Sequence, residues 1–595
     1  MQIFNSIFYI FSIIAFLYAF FTFPKTSRKQ DFFIWIPIAI VFFDAVTASV
    51  VGLIDIVHIP ISIVTVGVVN VLFATGLFYW SRFRLKKKQE YECRMSSLSF
   101  LLVLAALVAF LFLYRYSADI NIVFATSDPA NHLKFAQNIL NTKSISGDTS
   151  PLWVTPLSNA LFIETLLPIF SGVDIYKSFM IKEAINLWLA GAVFYALSAR
   201  FFKNKFTILC GFVISLVYVT GYPYNSFLYG FSYLSMSITF VCVLLFVLDI
   251  FIKKESALIP TLFALSALCL SVSNCYSLFA PSVYIGTVLA IFYRYFKEYQ
   301  ELKDNKLFFK NFIVTGFSVF LIPTAVSVLY VVKAGLYGEV LAHEGGSYGN
   351  LLYDFIIWMP FCVFSLYTAF KKKKLLGAMI LAPVQLVYTL FMFFLMVRGT
   401  ISTYYYYKMN YLIWMIVLYL SIAAVSYLSE KQKSLVIAFG VTWAGIFLFG
   451  LSGVETKLTN TNHFMNPRPM ALSMCQIYDQ NKTYSAMKAP INNDIIEMAK
   501  AVRKLKEEKD TEIAYVGYWS EVYWYEALTN QRQMPPMYPP SGEFIEHFWS
   551  EYKDKDYLAV SYDSDEYRML KDRIDMYEHV FETETGCIIS LGNPV

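Results

Sequence analysis

Charged residues are scarce in this sequence: they make up 15% of its 595 positions, whereas hydrophobic residues make up 57%. An ordinary soluble domain has about a quarter of its residues charged. Most of this chain therefore cannot face water, which excludes a soluble globular protein. The net charge of +5 is small for this length, so the composition predicts no nucleic acid partner.

Several catalytic and metal-binding patterns are also missing. The eight cysteines form no C-x-x-C pair, and no glycine-rich phosphate loop, H-E-x-x-H sequence or nucleophile elbow occurs where it would work. The chain contains no internal repeat and no low-complexity tract. Only Cys475 and Cys587 lie in the hydrophilic C-terminal part, where they are able to form a disulfide if that part is outside the cell.

Long apolar segments dominate what is present. A membrane span needs about 20 mostly apolar residues, and roughly fourteen segments meet this test, for a predicted total of about 13 to 15. They begin near residues 3, 32, 60, 97, 178, 206, 231, 257, 279, 311, 351, 376, 404 and 434. The segment 155–170 is also apolar. If it were counted as a span, every later loop would change sides of the membrane, so it is predicted to be a re-entrant or interface-lying helix.

The loops between these segments alternate in charge. Loops rich in Lys and Arg, such as 25–29, 82–94 and 371–374, are predicted to be cytoplasmic because positive loops stay inside. The alternate loops, including 117–153, are poor in positive charge. This pattern predicts a transmembrane domain over 1–454 and places the C-terminal part, 455–595, outside. Its alternating helix and strand patterns predict a small α/β domain.

The outer loop 117–153 holds the most informative motif, Ser127-Asp128-Pro129-Ala130-Asn131-His132. Pro129 suits the first turn of a helix, and the apolar residues that follow predict a short amphipathic helix on the membrane surface. Asp128 and His132 are four residues apart, so their side chains share one face. The alternative interpretation is that Asp128 or Ser127 only caps the helix.

An acidic residue that heads a short juxtamembrane helix, soon after an early membrane helix, resembles the membrane glycosyltransferases of the GT-C superfamily. Two further stretches resemble the approach to the family's next membrane segment and the turn after it: Ser150-Pro151-Leu152-Trp153-Val154-Thr155-Pro156 and Phe170-Ser171-Gly172-Val173-Asp174. In the tail, Tyr523-Trp524-Tyr525-Glu526-Ala527-Leu528-Thr529-Asn530-Gln531-Arg532 resembles the soluble domain that ends many such enzymes. The resemblance covers most of the chain in layout and a much smaller share in motif.

The resemblance implies a sugar donor carried on polyprenyl phosphate, with Asp128 as the general base and His132 as the residue that orients or assists it. A base within hydrogen-bond reach takes the proton of the attacking hydroxyl. Many relatives have a second acidic residue beside the first, where this chain has Pro129. A two-carboxylate metal site is therefore not carried over, and a divalent metal is left open.

The leaving phosphate of such a donor needs fixed positive charge. Arg398 and Lys408 bracket four consecutive tyrosines, 404–407, and are predicted to hold the phosphate; the alternative for Lys408 is a stem that snorkels to the headgroups. Five further residues are predicted to line the substrate cavity, although each also suits an ordinary interfacial or turn position: Lys182, Glu183, His343, Glu344 and Tyr405.

The sequence thus predicts a multi-pass plasma membrane glycosyltransferase, of bacterial rather than eukaryotic type, that transfers a sugar with inversion to an extracytoplasmic glycan or lipid. A cell-surface polysaccharide polymerase or ligase is one alternative, and it would usually place its large outer loop late in the membrane region. A lipid-linked-sugar transporter or flippase is another, and it predicts charges near helix centres and paired helix breaks in two halves.

Overall fold

The structure is a computed structural model of the full chain, and it describes residues 1–23, 29–85, 89–122, 127–145, 152–228, 230, 232–334, 358–372, 376–430, 493–509, 511, 513–517, 519–531, 549–550 and 555–592. Three predictions from the sequence concern residues outside these ranges: the span near 434, the pair His343 and Glu344, and Cys475, whose pairing with Cys587 was left open. The domain boundary near 454 also lies outside them.

The described part of the first 430 residues is almost entirely helical. Its helices are α1 (Gln2–Thr22), α2 (Phe32–Ile56), α3 (Ile63–Tyr79), α4 (Met95–Tyr116), α5 (Ser127–Thr142), α6 (Val154–Leu166), α7 (Ile175–Ser198), α8 (Lys205–Val219), α9 (Tyr222–Leu228), α10 (Ser232–Ile252), α11 (Leu258–Cys275), α12 (Ala280–Leu302), α13 (Asn305–Ala334), α14 (Met359–Lys371), α15 (Gly377–Val397) and α16 (Thr403–Ser429). Two short strands, β1 (Gln30–Asp31) and β2 (Tyr91–Glu92), pair in parallel between them.

Twelve helices of the described chain are long and apolar enough to cross a membrane, so this is a multi-pass membrane protein. A helix satisfies its own backbone hydrogen bonds, which is why apolar spans adopt this conformation. Local residues fix where some helices begin: Asp31 accepts a hydrogen bond from the Phe33 amide at the start of α2, and Asn204 forms a capping box with Thr207 at the start of α8. Both follow the rule that short polar side chains cap helices.

The helices differ in how much of their surface is enclosed. In the most apolar 18-residue stretch of α10, 89% of the residues are buried, whereas in that of α13 only 22% are. Helices α2, α7, α11 and α16 are also mostly enclosed, and they carry the polar side chains of the bundle interior. Helices α1, α3, α13 and α15 instead expose large apolar side chains, which suits contact with lipid.

The predicted spans match the structure at twelve places. The segment predicted to be re-entrant or interface-lying is α6, whose 13 residues are too few to span a bilayer. It packs against α1, α5, α7 and α11. The span predicted near residue 351 is described only from residue 358, as the 13-residue helix α14.

The C-terminal part forms a small α/β domain, as the sequence predicted. It contains α17 (Asn493–Lys509), β3 (Ile513–Val516), α18 (Trp519–Thr529), β4 (Tyr557–Ser561), α19 (Asp565–Ile574), β5 (Glu578–Glu582) and β6 (Gly586–Ser590). The sheet order is β3-β4-β6-β5, with β3 and β4 parallel and the other pairs antiparallel. Strand β5 was not predicted, because it is an exposed edge strand whose sequence is mostly polar.

Candidate functional site

Helix α5 begins where the sequence predicted, with Asp128 exposed in its first turn. Ala130, Leu133 and Ala136 on this helix are fully buried. Pro129 rests on Gly230 in the connection between α9 and α10. A Cβ on Gly230 would lie 2.7 Å from two Pro129 side-chain atoms, and Gly230 has a φ of +59°. Only glycine fits this close approach without strain, so Gly230 sets the position of the helix start that carries Asp128.

His132 faces the membrane domain, one turn after Asp128. Its side chain is buried, and its ring centroid lies 4.4 Å from that of Tyr233. Burial, together with the nearby positive charge of Lys408, lowers the pKa of His132 from 6.5 to about 3. The imidazole is therefore neutral at physiological pH. A neutral imidazole is able to orient a neighbour by a hydrogen bond without adding a second charge to the site.

Lys408 lies close to His132, inside the start of α16. Its side chain is only 6% exposed, and its ammonium faces three tyrosine rings. The Nζ atom lies 3.6 Å from the ring centroid of Tyr404, 5.1 Å from that of Tyr276 and 5.4 Å from that of Tyr405. Ring faces attract a cation at these distances. The structure therefore brings together three residues singled out from the sequence: His132, Lys408 and Tyr405.

Arg398 has a different environment from Lys408. It is exposed at the C-terminal end of α15, and its guanidinium lies 4.7 Å from the ring centroid of Phe394 on the same helix. The sequence analysis grouped these two cations together, but Arg398 is exposed and Lys408 is buried.

Lys182 and Glu183 are both buried within α7 and point in different directions, as adjacent helical residues do. Lys182 Nζ lies 3.8 Å from Asp44 Oδ2 on α2. Glu183 Oε1 accepts a hydrogen bond of 2.7 Å from the Ser232 hydroxyl, and one of 3.5 Å from the Asn159 amide. Ser232 is followed directly by Tyr233, whose ring contacts His132. The hydrogen-bonded residues around Glu183 are therefore adjacent to the His132 site.

Asp44 was missed by the sequence analysis. It sits in the middle of the apolar helix α2, where it also accepts a hydrogen bond of 3.4 Å from the Ser158 hydroxyl. A signal was available, because an ionisable residue inside an apolar span is costly and commonly functional. Asp44 lies far from the helix ends, where the sequence-based prediction placed the charged site residues.

The soluble domain packs directly on α5 through α18. Lys134 forms an ion pair with Glu526, whose side chain is fully buried. The Gln137 amide donates a hydrogen bond of 2.6 Å to the Ala527 carbonyl, and the Asn141 amide donates one of 2.9 Å to Asn530 Oδ1. The spacing of 134, 137 and 141 places these three side chains on one face of the helix, away from the face that enters the membrane domain.

Tyr523 lies near both Glu526, in the contact between α5 and α18, and Asp128. Partial burial raises the pKa of Tyr523, and the negative charges of Glu526 and Asp128 raise it further. The tyrosine thus lies within electrostatic range of Asp128. The two most distant stretches that carried the GT-C resemblance, the loop motif and the tail motif, meet at this point.

No group of three or more His, Cys, Asp or Glu side chains that would hold a metal ion occurs within the described ranges. His343 and Glu344 lie outside those ranges, so this finding does not concern them.

No known protein family and no curated protein matches the chain. Among solved structures, it is similar to the archaeal oligosaccharyltransferase AglB from Archaeoglobus fulgidus, solved in complex with an inhibitory peptide and a dolichol-phosphate. The TM-score is 0.46 at 10% identity, over 78% of this chain and 69% of that one. The apo form of the Archaeoglobus fulgidus oligosaccharyltransferase gives a TM-score of 0.43 at 12% identity, over 78% of this chain and 70% of that one.

Proposed function

We propose that this protein is a membrane glycosyltransferase that moves a sugar from a polyprenyl-phosphate donor to an extracytoplasmic glycan or lipid acceptor. The observation that carries the proposal is the placing of three groups around one helix start. Asp128 is exposed in the first turn of α5, His132 is neutral one turn later, and Lys408 is a buried cation beside it.

These groups suit a single displacement at the anomeric carbon. Asp128 takes the proton of the acceptor hydroxyl while that oxygen forms a bond to the anomeric carbon. The bond from this carbon to the donor's phosphate oxygen breaks at the same time, so the configuration inverts. Lys408 offsets the negative charge that the leaving phosphate gains. His132, without charge of its own, positions Asp128 or the acceptor by hydrogen bonding.

The C-terminal domain forms part of the acceptor side in this proposal, because α18 holds the helix that carries Asp128. It lies outside the cell, together with α5, and the membrane is a bacterial plasma membrane. The acceptor is a wall polymer, a capsule or a glycolipid.

A lipid-linked-sugar transporter is the second candidate, and one observation favours it. The Asp44 and Lys182 pair lies between two membrane helices, with Lys182 buried and Asp44 14% exposed, as ion pairs on transport pathways commonly do. A transporter moves its substrate unchanged, so the presence or absence of sugar transfer separates the two functions.

The deciding experiment measures sugar transfer by the purified protein in nanodiscs, with a panel of radiolabelled polyprenyl-phosphate sugars as donors. We expect Asp128→Asn to lower the rate at least about a hundredfold, the scale of a general base. Asp119→Asn is the matched control, because Asp119 is also exposed on the outer loop, and it should keep the wild-type rate. Transfer that survives in Asp128→Asn would leave Asp128 as a helix cap and make Glu183 the next acid to test. An absence of turnover with every donor would favour the transporter.

A further inference from the structure

A cavity of about 310 Å³ lies between the soluble domain and the membrane domain, away from Asp128. Its walls come from the second half of α5, the end of α6, the start of α7, the first residue of α1, α17 and the end of α18. Helices rise about 1.5 Å per residue, so Gln137 in this wall is about 14 Å along α5 from Asp128. The cavity is therefore distinct from the site around His132 and Lys408.

Two of the three charged residues in the cavity wall form an ion pair with each other. Lys143 Nζ lies 3.4 Å from Glu164 Oε1, and Glu164 Oε2 accepts a hydrogen bond of 3.1 Å from the Ile63 amide. This carboxylate is thus already paired. Arg503 is the other charged residue of the wall, and the carboxylate that acts on it electrostatically is Glu507, exposed one turn away on the same helix.

Arg503 is fixed by its inner nitrogen, and its outer nitrogens reach the cavity. The Nε atom donates a hydrogen bond of 2.6 Å to the Leu528 carbonyl. The Nη1 atom lies 4.0 Å from the position that a Cβ on Gly172 would take, and Gly172 belongs to the cavity wall. A guanidinium held in this way presents parallel N–H groups, which match the oxygens of a phosphate or a carboxylate.

We propose that this cavity binds an anionic saccharide, whose phosphate or carboxylate is held by Arg503. The amide side chains of Gln2, Gln137, Asn141 and Asn530 surround the same space, and amides both donate to and accept from sugar hydroxyls. The volume equals that of roughly ten water molecules, which is enough for one sugar unit with its anionic group. The anionic part rests on Arg503, and the saccharide part rests on the proposed function.

The proposal is tested by calorimetric titration of the full-length protein in detergent with glucose 1-phosphate, glucuronate, inorganic phosphate and glucose. We expect glucose 1-phosphate and glucuronate to bind at least about tenfold more tightly than either glucose or phosphate. Arg503→Gln should weaken both at least about tenfold. Lys504→Gln is the matched control, since it removes one charge from an exposed position on the same helix, and it should change nothing.

A second variant protects the test against misfolding of Arg503→Gln. Asn141 is exposed at the rim, so Asn141→Asp places a negative charge in the cavity without removing a buried contact of Arg503, and it should also weaken glucose 1-phosphate at least about tenfold. Unchanged binding in both variants would overturn the site, and phosphate that binds as tightly as glucose 1-phosphate would overturn its saccharide class. Asp128→Asn should bind all four probes like the wild type. A loss of transfer in that variant with unchanged binding in Arg503→Gln would leave the proposed function in place and remove this site alone.

Discussion

Among the residues that the structure describes, two lysines are buried, and their surroundings differ. Lys182 lies beside the carboxylate of Asp44, whereas Lys408 faces the rings of Tyr404, Tyr405 and Tyr276. A carboxylate cancels a positive charge, but a ring face only attracts it. Lys408 also lies near His132, one turn from Asp128, whereas Lys182 forms an ion pair with Asp44. At the scale of single residues, this difference makes Lys408 the better candidate for holding the donor phosphate.

The comparison of Lys408 with Arg398 tests this assignment. We expect Lys408→Met to raise the KM for the polyprenyl-phosphate donor at least about tenfold, because a charge-assisted contact in a dry site is strong. Arg398→Met should have a smaller effect, since Arg398 is exposed and its contact with phosphate is screened by water. Steady-state kinetics with varied donor concentration measures both. An equal increase in KM in the two variants would show that Arg398 contributes to donor binding as much as Lys408 does.

The neutral state of His132 predicts a pH dependence of stability. Above pH 6.5 the imidazole is neutral in both the folded and the unfolded protein. Between pH 6.5 and about 3 the unfolded protein binds a proton at His132 that the folded protein does not. The free energy of unfolding therefore falls as the pH falls through this window. Thermal unfolding in detergent from pH 7 to pH 4.5 should show a larger drop in Tm for wild type than for His132→Gln. Parallel curves for the two proteins would mean that His132 is accessible to protons when folded.

At the scale of elements, the sequence predicted the helices better than their contacts. The apolar length of the spans and the Pro129 signal at the start of α5 are local features, and the structure confirms that signal and twelve of the predicted spans. The pairing of Lys134 with Glu526 was out of reach, because 392 residues separate the partners and neither stands out in its own segment. Asp44 was within reach, since it is an acid in the middle of an apolar helix. Strand β5 was missed because edge strands need no apolar alternation.

The ion pair between α5 and α18 predicts an asymmetry between its two halves. Glu526 is fully buried, whereas the Lys134 side chain is 27% exposed. Lys134→Met removes the cation from a buried carboxylate, which typically costs about 3–5 kcal/mol. Glu526→Leu should cost less, because Lys134 is able to turn toward water. The double variant should be more stable than Lys134→Met alone.

Thermal unfolding of the three variants measures this coupling. The pair Glu497 and Lys500 on α17 is the control, because both side chains are at least half exposed and 2.9 Å apart. Breaking it with Lys500→Met should change stability by less than about 1 kcal/mol. A double variant whose loss equals the sum of the single losses would show that Lys134 and Glu526 do not act as a pair.

At the scale of the whole molecule, the described part of the chain confirms the α-helical membrane fold with a small C-terminal α/β domain. The sequence also predicted that α5 and the soluble domain lie on the same side of the membrane, and their direct contact agrees with this. Charge counts show which loops share a side, but they say nothing about which of those loops touch. The sequence therefore predicted the individual residues of the site but not which of them contact one another.

The orientation itself is testable with two single cysteines. Cys93 is an exposed, free thiol in the basic connection before α4, which is predicted to be cytoplasmic. Asp565 is exposed in the soluble domain. In a variant without other cysteines, a membrane-impermeant maleimide should label Asp565→Cys on intact cells and should label Cys93 only after the cells are permeabilised. Labelling of Cys93 on intact cells would invert the orientation.

The contact between α5 and α18 also has a consequence in time. The Ala527 carbonyl accepts its hydrogen bond from Gln137, a residue that precedes it by 390 positions. Chains are synthesised at about 5–20 residues per second, so α5 waits on the order of 20 to 80 seconds for its partner helix. During this interval the helix that carries Asp128 lacks one of the two surfaces that hold it. The surroundings of Asp128 are thus completed only once α18 has been synthesised and has packed on α5.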